Sequence, residues 1–476
     1  MRTDEFVLGH LDKLEGRLVE IALAIWANPE SGLHEFFSSK LLAEELARAG
    51  FTIKMGVGQM PTAFVASWGT GNPIIGILGE YDALAGLSQK LSAVQEPIKE
   101  GAPGHGCGHN LFGAGSLGAA LAMKQAMEQE KISGTIRFYG CPAEETLVGK
   151  VFMAKDQVFH DLSAALAWHP GYANSAEGKR TYLAMNSFRV NFHGAASHAA
   201  ADPHMGRSAL DGAMLMDVGV NYLREHVAQD IRMHSVITHG GDAPNIVPPH
   251  AQIWYYVRAP RREQVEQTYA RMLNIARGAA LMTDTTYDID FLTGCYDMLP
   301  NQVIGGLFQK NLERIGPPKF SDEDKAFAKQ IQATVASEVL EMSIAEVLRQ
   351  SGKGVTREDL GEVLCEKIIP PSETRYILHG STEVGDVSQI TPTASFNTCC
   401  RPLGAPGHSW QLVASSGSGI GLRGMMLAAK TLALTALDLM TQPETLQAAR
   451  AEFENATGKP YVSPLPENAK PPAMNN

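Results

Sequence analysis

The chain has 476 residues, 44% of them hydrophobic and 19% charged, an ordinary globular composition at a length that favours two domains over one core. A net charge of -11 argues against nucleic acid or an anionic membrane surface as a partner. Six scattered cysteines are no disulfide framework, the polar start Met1-Arg2-Thr3-Asp4-Glu5 lacks the parts of a signal peptide, and no apolar run reads as a membrane span, so a reduced, cytoplasmic protein is expected.

Residues 4–27 place Leu11, Leu14, Leu18, Ile21 and Ile25 at helical spacing, and 36–49 predict a second helix that stops at Gly50. The run 73–79 is short and continuously apolar, as a strand buried on both faces would be, and ends in Glu80-Tyr81-Asp82. An Ala- and Leu-rich helix is predicted over 111–129. Strands follow at 134–140, ending in Pro142-Ala143-Glu144-Glu145, and at 164–168, ending in His169-Pro170. The alternation predicts an α/β layer with a mostly parallel central sheet, whose carboxyl strand ends bind ligands.

After about Asn186 the pattern changes. Residues 188–192 alternate apolar and polar, further strands are predicted at 236–238 and 251–257, and helices at 208–223 and 262–279. The pattern divides the chain into 1–187, a compact α+β unit over 188–295, and 296–476. Within the last part, about 317–372 reads as an insertion with a surface helix or two and no legible chemistry. A strand at 394–398 precedes Gly407-His408-Ser409, a helix is expected over 424–440, and the Pro-rich tail after Lys459 reads as extended and weakly ordered.

The run Gly104-His105-Gly106-Cys107-Gly108-His109-Asn110 puts a thiol and two imidazoles on a glycine-rich loop. Cys and His suit borderline divalent metals. With Glu145, His169 and His408 they would supply the donors of a two-metal hydrolase, Cys107 being a plausible bridge as thiolate. The neighbours Glu144 and Glu145 would point apart on extended backbone, one free to ligate and the other to act as base. Taken singly, each has a plainer reading. Cys107 alone would be a small buried hydrophobe, His169 or His408 alone a structural or surface histidine, and the Glu pair a solvated turn. Their common place at strand ends makes the joint reading the stronger one.

The series GHGCGHN, PAEE, AWHP, GAASHAA, APNIVP and PGHSW resembles the M20 family of metallopeptidases and amidohydrolases over nearly the whole chain. It is nearest the CGH-motif subfamily that hydrolyses N-acyl amino acids. The resemblance implies a catalytic domain holding two divalent ions, Mn favoured and Zn possible, and an inserted lid that also makes a dimer interface. The dimer would be a homodimer or a heterodimer with a related subunit. It implies metal ligation by Cys107, His109, Glu145, His169 and His408, with Cys107 bridging, and Glu144 as general base. Asp82 would orient a ligand imidazole. His198 on the lid would reach the partner subunit's site and steady the oxyanion, while Asn245 and Arg258 would contact the substrate carbonyl and carboxylate. Arg207, on a glycine-containing loop, is a further candidate, for a second carboxylate. Asn110 stands where the subfamily usually has Asp, and Glu80 gives an unusual GEYDAL segment. His105 could ligate metal or hydrogen-bond behind it. The expected reaction is metal-assisted amide hydrolysis of an N-acyl amino acid with a glutamate product. Alternatives are another N-acyl amino acid or dipeptide, a partner subunit needing a second chain, and, more weakly, a cysteine nucleophile.

Overall fold

The computed structural model describes residues 2–472. Its central sheet has six strands in the order Thr52–Met55, Phe64–Thr70, Gly134–Cys141, Ile74–Glu80, Ala164–Leu166, Thr393–Ala394. The last four pair parallel, while Phe64–Thr70 runs antiparallel to both of its neighbours. The sheet is therefore mixed at one edge, and parallel where the predicted strands lie. The strands Gly134–Cys141 and Ile74–Glu80 are almost wholly buried, as the continuously apolar run of the second requires.

The helix His109–Glu130 packs on the Ile74–Glu80 strand and against the helices Thr3–Ala27 and Gly419–Thr441. Most of its residues are buried, so it has no polar face. Gly113 and Gly118 allow this closeness: an added Cβ would lie 2.8 Å from the Glu80 carbonyl oxygen and 2.6 Å from Leu18 respectively. The helix begins two residues before the expected start, so His109 is its first residue. Contrary to expectation, Gly419–Thr441 is long and apolar enough to cross a membrane, but 83% of its most apolar window is buried inside the protein.

A second core forms between 184 and 295. Four antiparallel strands, in the order Arg232–His239, His250–Ala259, Ala184–His193, Thr286–Cys295, carry the helices Ala209–Leu223 and Arg262–Thr283. Burial alternates along His250–Ala259. Ile253, Tyr255 and Val257 face the helices, while Tyr256 and Arg258 face the other way, toward the catalytic domain.

The segment 317–372 packs through a small core. Its helices Asp322–Gln332 and Ser337–Gln350 bury Phe320, Ala328, Ile344 and Val347 with Leu360, Leu364 and Ile369, and the core is shared with Cys399, Leu403 and Ile420. The segment is thus packed onto the catalytic domain. The tail is extended but held: Leu465 is buried, the Tyr461 hydroxyl donates to Asp386 (2.9 Å), and Lys155 donates to the carbonyls of Pro466 and Ala469.

Candidate metal centre and active site

Loops at the carboxyl ends of the parallel strands converge on one point. Glu80 ends its strand and Asp82 follows. Glu144 and Glu145 lie just beyond Gly134–Cys141, and His169 just beyond Ala164–Leu166. The Cys107 loop enters its helix through Gly108 at φ +82, a left-handed conformation that glycine adopts freely. The amide of His408 donates to the Gly106 carbonyl (2.9 Å), stapling the last histidine to the same loop. His408 (φ +53) and Ala143 (φ +54), which precedes Glu144, are non-glycine residues held in the left-handed region. Backbone strain of this kind persists only where surrounding contacts enforce it.

Donor atoms of Cys107, His109 and His169 lie within 4.8 Å of one another, and so do those of Cys107, Glu145 and His408. Cys107 belongs to both trios. Its Sγ is 3.3 Å from His169 Nε2, and His408 Nε2 is 3.3 Å from Glu145 Oε2. A third trio joins Glu80, His109 and Glu144, with His109 Nε2 3.3 Å from Glu80 Oε2 and 3.8 Å from Glu144 Oε2.

Hydrogen bonds behind these donors fix their orientation. Asp82 Oδ1 lies 2.8 Å from His109 Nδ1, and Asp82 Oδ2 accepts the Glu145 amide (2.9 Å). His169 Nδ1 lies 2.9 Å from the Pro170 carbonyl oxygen, an acceptor only, so Nδ1 carries the proton and the Nε2 lone pair faces Cys107. Glu35 Oε1 accepts the Ala143 amide (2.8 Å) and steadies the turn from behind. Lys150, fully buried, is 2.7 Å from Glu80 Oε1 and 3.2 Å from Glu383 Oε1.

The electrostatics fit cations. His109 Nε2, Glu80 Oε2 and Glu145 Oε1 are buried with no hydrogen-bond partner, and such atoms are costly unless a ligand satisfies them. Burial, then the charge of Glu80, pushes Glu144 well above the usual carboxylate range, and burial raises Glu145 to about 7. Burial and Glu145 push the Cys107 thiol up to about 12. Burial, then the nearby His109 charge, drives His169 down to about 3, leaving a neutral imidazole. Burial opposes ionisation of Asp82, yet the His109 imidazole holds its carboxyl low. Divalent cations would reverse the cost of charging the thiol and carboxylates. The donor set of thiolate, imidazole and carboxylate fits borderline divalent metal.

The site opens into a cavity of about 530 Å³, lined on the metal side by Cys107, Glu144, Glu145, His169 and His408.

A family model of the peptidase dimerisation domain matches residues 184–282. A dinuclear metal-binding peptidase of the M20 family from Bacillus subtilis shares the fold, with a TM-score of 0.52 at 14% identity over 89% of this chain and 99% of that one. One of the p-aminobenzoyl-glutamate hydrolase subunits of Escherichia coli (strain K12) is 43% identical over 461 residues, 96% of each chain. The chain belongs to the M20 family. The Xaa-Arg dipeptidase of Homo sapiens is also similar, at 27% identity over 93% of this chain and 90% of that protein. The protein is an M20 hydrolase of C–N amide bonds, with a centre suited to divalent metal.

The M20 chain brings some expected residues together and leaves others apart. Cys107, His109, Glu144, Glu145, His169 and His408 converge, with Asp82 behind His109. Arg258 lines the cavity from the inserted α+β unit. His198 and Asn245 do not: His198 Nδ1 accepts the amides of Ala200 and Ala201, and the Asn245 carbonyl accepts the Ala199 amide. Arg207 is half-buried, pairs with Asp284 (2.6 Å) and does not line the cavity. His105 is buried with Nε2 on the Ile25 carbonyl (3.2 Å), outside the donor trios, and Asn110 donates to the carbonyls of Ala22 and Ser416. Sequence reasoning missed Glu35, Lys150 and Glu383, lone charged residues with no motif. It also missed Arg180 and Arg401, and the wall formed by Glu346, Val347, Gln350 and Ile369 of the insertion.

Proposed function

We propose that the chain hydrolyses the amide bond of p-aminobenzoyl-glutamate, releasing p-aminobenzoate and glutamate. The observation that carries the chemistry is the membership of Cys107 in two donor trios, with Glu144 beside them. The substrate reading is supported by the 43% identity, end to end, with the hydrolase subunit of that name. Cys107, His109 and His169 would hold one cation, and Cys107, Glu145 and His408 the other. Such cations supply Lewis acidity and acidify water. The family resemblance favours Mn, while the thiolate and imidazole donors keep Zn as the alternative.

Glu144 receives a proton from the attacking water and passes it to the departing amine nitrogen. Its burial-raised proton affinity suits both halves of that task. Asp82 keeps the His109 proton on Nδ1, so Nε2 faces the site. Arg258 receives a substrate carboxylate. His198 and Asn245, away from the cavity of their own chain, would act on the oxyanion and carbonyl in a partner's site across a lid-to-lid dimer. Apolar exposure on the lid, at Met214, Val218, Tyr222, Val236 and Ile237, supports that assembly. The second chain is either another copy of this one or a related subunit, and a cytoplasmic setting accords with six unpaired cysteines.

The test is amine release from p-aminobenzoyl-glutamate by the purified chain, stripped of metal and reloaded with Mn. Metal-dependent release is expected. Hydrolysis of other N-acyl amino acids or Xaa-Arg dipeptides in its place would move the substrate to the second reading, and activity only with an added related subunit would make the chain one half of an enzyme.

A further inference from the structure

Three guanidinium groups line the cavity, those of Arg180, Arg258 and Arg401. They are not equivalent. Arg180 is neutralised by Glu177, which also accepts the Tyr182 hydroxyl (2.7 Å), and its Nη1 donates to Gln350 (2.8 Å). Among the described residues, Arg258 and Arg401 pair with no carboxylate. Each donates one long bond to a backbone carbonyl, Arg258 to His379 (3.4 Å) and Arg401 to Ala405 (3.3 Å). The Nε of each is buried without an acceptor.

Arg401 is held in readiness. Its guanidinium carbon lies 3.8 Å from the centre of the Tyr172 ring, and the Tyr172 hydroxyl is anchored on the Ala405 carbonyl (2.8 Å). Stacking fixes the plane and leaves the edge, with its fork of N–H groups, for a planar acceptor. A Cβ added at Gly407, the neighbour of His408, would lie 3.3 Å from Arg401 Nη1, so the guanidinium borders the loop that carries His408. The remaining acidic residue of the outer wall, Glu346, is engaged by the Tyr376 hydroxyl (2.6 Å), Gln350 (2.8 Å) and Arg349, so it does not answer either free arginine. A half-buried cation without a counter-ion is costly, and an incoming carboxylate offsets that cost with charge-assisted bonds.

We infer that Arg401 binds the side-chain carboxylate of the amino-acid half of the substrate while Arg258 takes its α-carboxylate, so that the pocket selects N-acyl dicarboxylic amino acids. This rests on the amide-hydrolase reading above and replaces Arg207 as the second anchor.

The experiment compares metal-loaded wild type, Arg401→Gln and Arg401→Lys on matched glutamate and glutamine substrates, each made with p-aminobenzoyl and with benzoyl as the acyl group. Wild type is expected to prefer glutamate. In Arg401→Gln, kcat/KM on glutamate should fall about 100-fold, mainly through KM, and by less than about tenfold on glutamine, with unchanged metal content. Arg401→Lys should recover part of the preference, since it keeps the charge and loses the fork. Equal losses on both amino acids, a fall in metal content, or a wild type that prefers glutamine would overturn the assignment. Cleavage of benzoyl-glutamate alone would contradict the p-aminobenzoyl reading yet support Arg401 through the glutamate-to-glutamine ratio. Cleavage of neither glutamate substrate would contradict both.

Discussion

Glu35 shows how one buried carboxyl can hold the turn that carries Glu144 and Glu145. Its Oε1 accepts the amides of Leu33 (3.0 Å) and Ala143 (2.8 Å), and its Oε2 accepts the Thr62 hydroxyl (2.9 Å). Burial, then the charge of Asp82, raises its pKa from 4.5 to about 8. The folded state therefore keeps a proton that the unfolded state has lost between those values. Stability tied to this group is present at low pH and falls as pH rises through the window. Glu35→Gln keeps the oxygen that meets the two amides and removes the titration. Relative to wild type, it should gain stability on the order of 4 kcal/mol between pH 5 and pH 8.5. Urea unfolding at the two pH values measures this, and a difference independent of pH would show that Glu35 does not titrate in that range.

At the scale of elements, the turn from Pro142 to Gly149 is the most constrained part of the site. A Cβ on Gly149 would lie 1.8 Å from the Pro142 carbonyl oxygen, so any side chain there must displace the backbone that carries Glu144 and Glu145. Gly149→Ala should cost about 2 kcal/mol or more of stability and lower the hydrolysis rate at least tenfold. Wild-type values in a denaturation curve and a rate assay would refute this role for the turn. The turn's acids were legible in the sequence because they follow a predicted strand and stand beside each other. The CGH loop was legible because glycine, thiol and imidazole rarely cluster without a ligand. The reversed strand Phe64–Thr70 was not, since its apolar positions look the same in either direction. The insertion's role was hidden for a related reason. Helical periodicity shows that Ile344 and Val347 share a face, but not that Glu346 and Gln350 meet a cavity. Arg401 gave no signal because Tyr172, which orients it, is remote in sequence.

Over the whole molecule, the larger domain supplies the donors and the inserted unit supplies Arg258, whose Nη1 reaches the His379 carbonyl and joins the two units at the cavity. His198 and Asn245 remain outside that cavity, so a single chain presents the metal centre without the lid histidine that the family resemblance assigns to the reaction. The proposed two-metal arrangement depends most on Cys107 being shared by both donor trios. The direct test is the metal content per chain, by elemental mass spectrometry, of Mn-loaded wild type, Glu144→Gln and Cys107→Ala. Two ions are expected in wild type and in Glu144→Gln, the latter with turnover reduced about 1000-fold, and at most one in Cys107→Ala. Two ions retained by Cys107→Ala would contradict the shared thiolate and with it the two-metal arrangement proposed for this site.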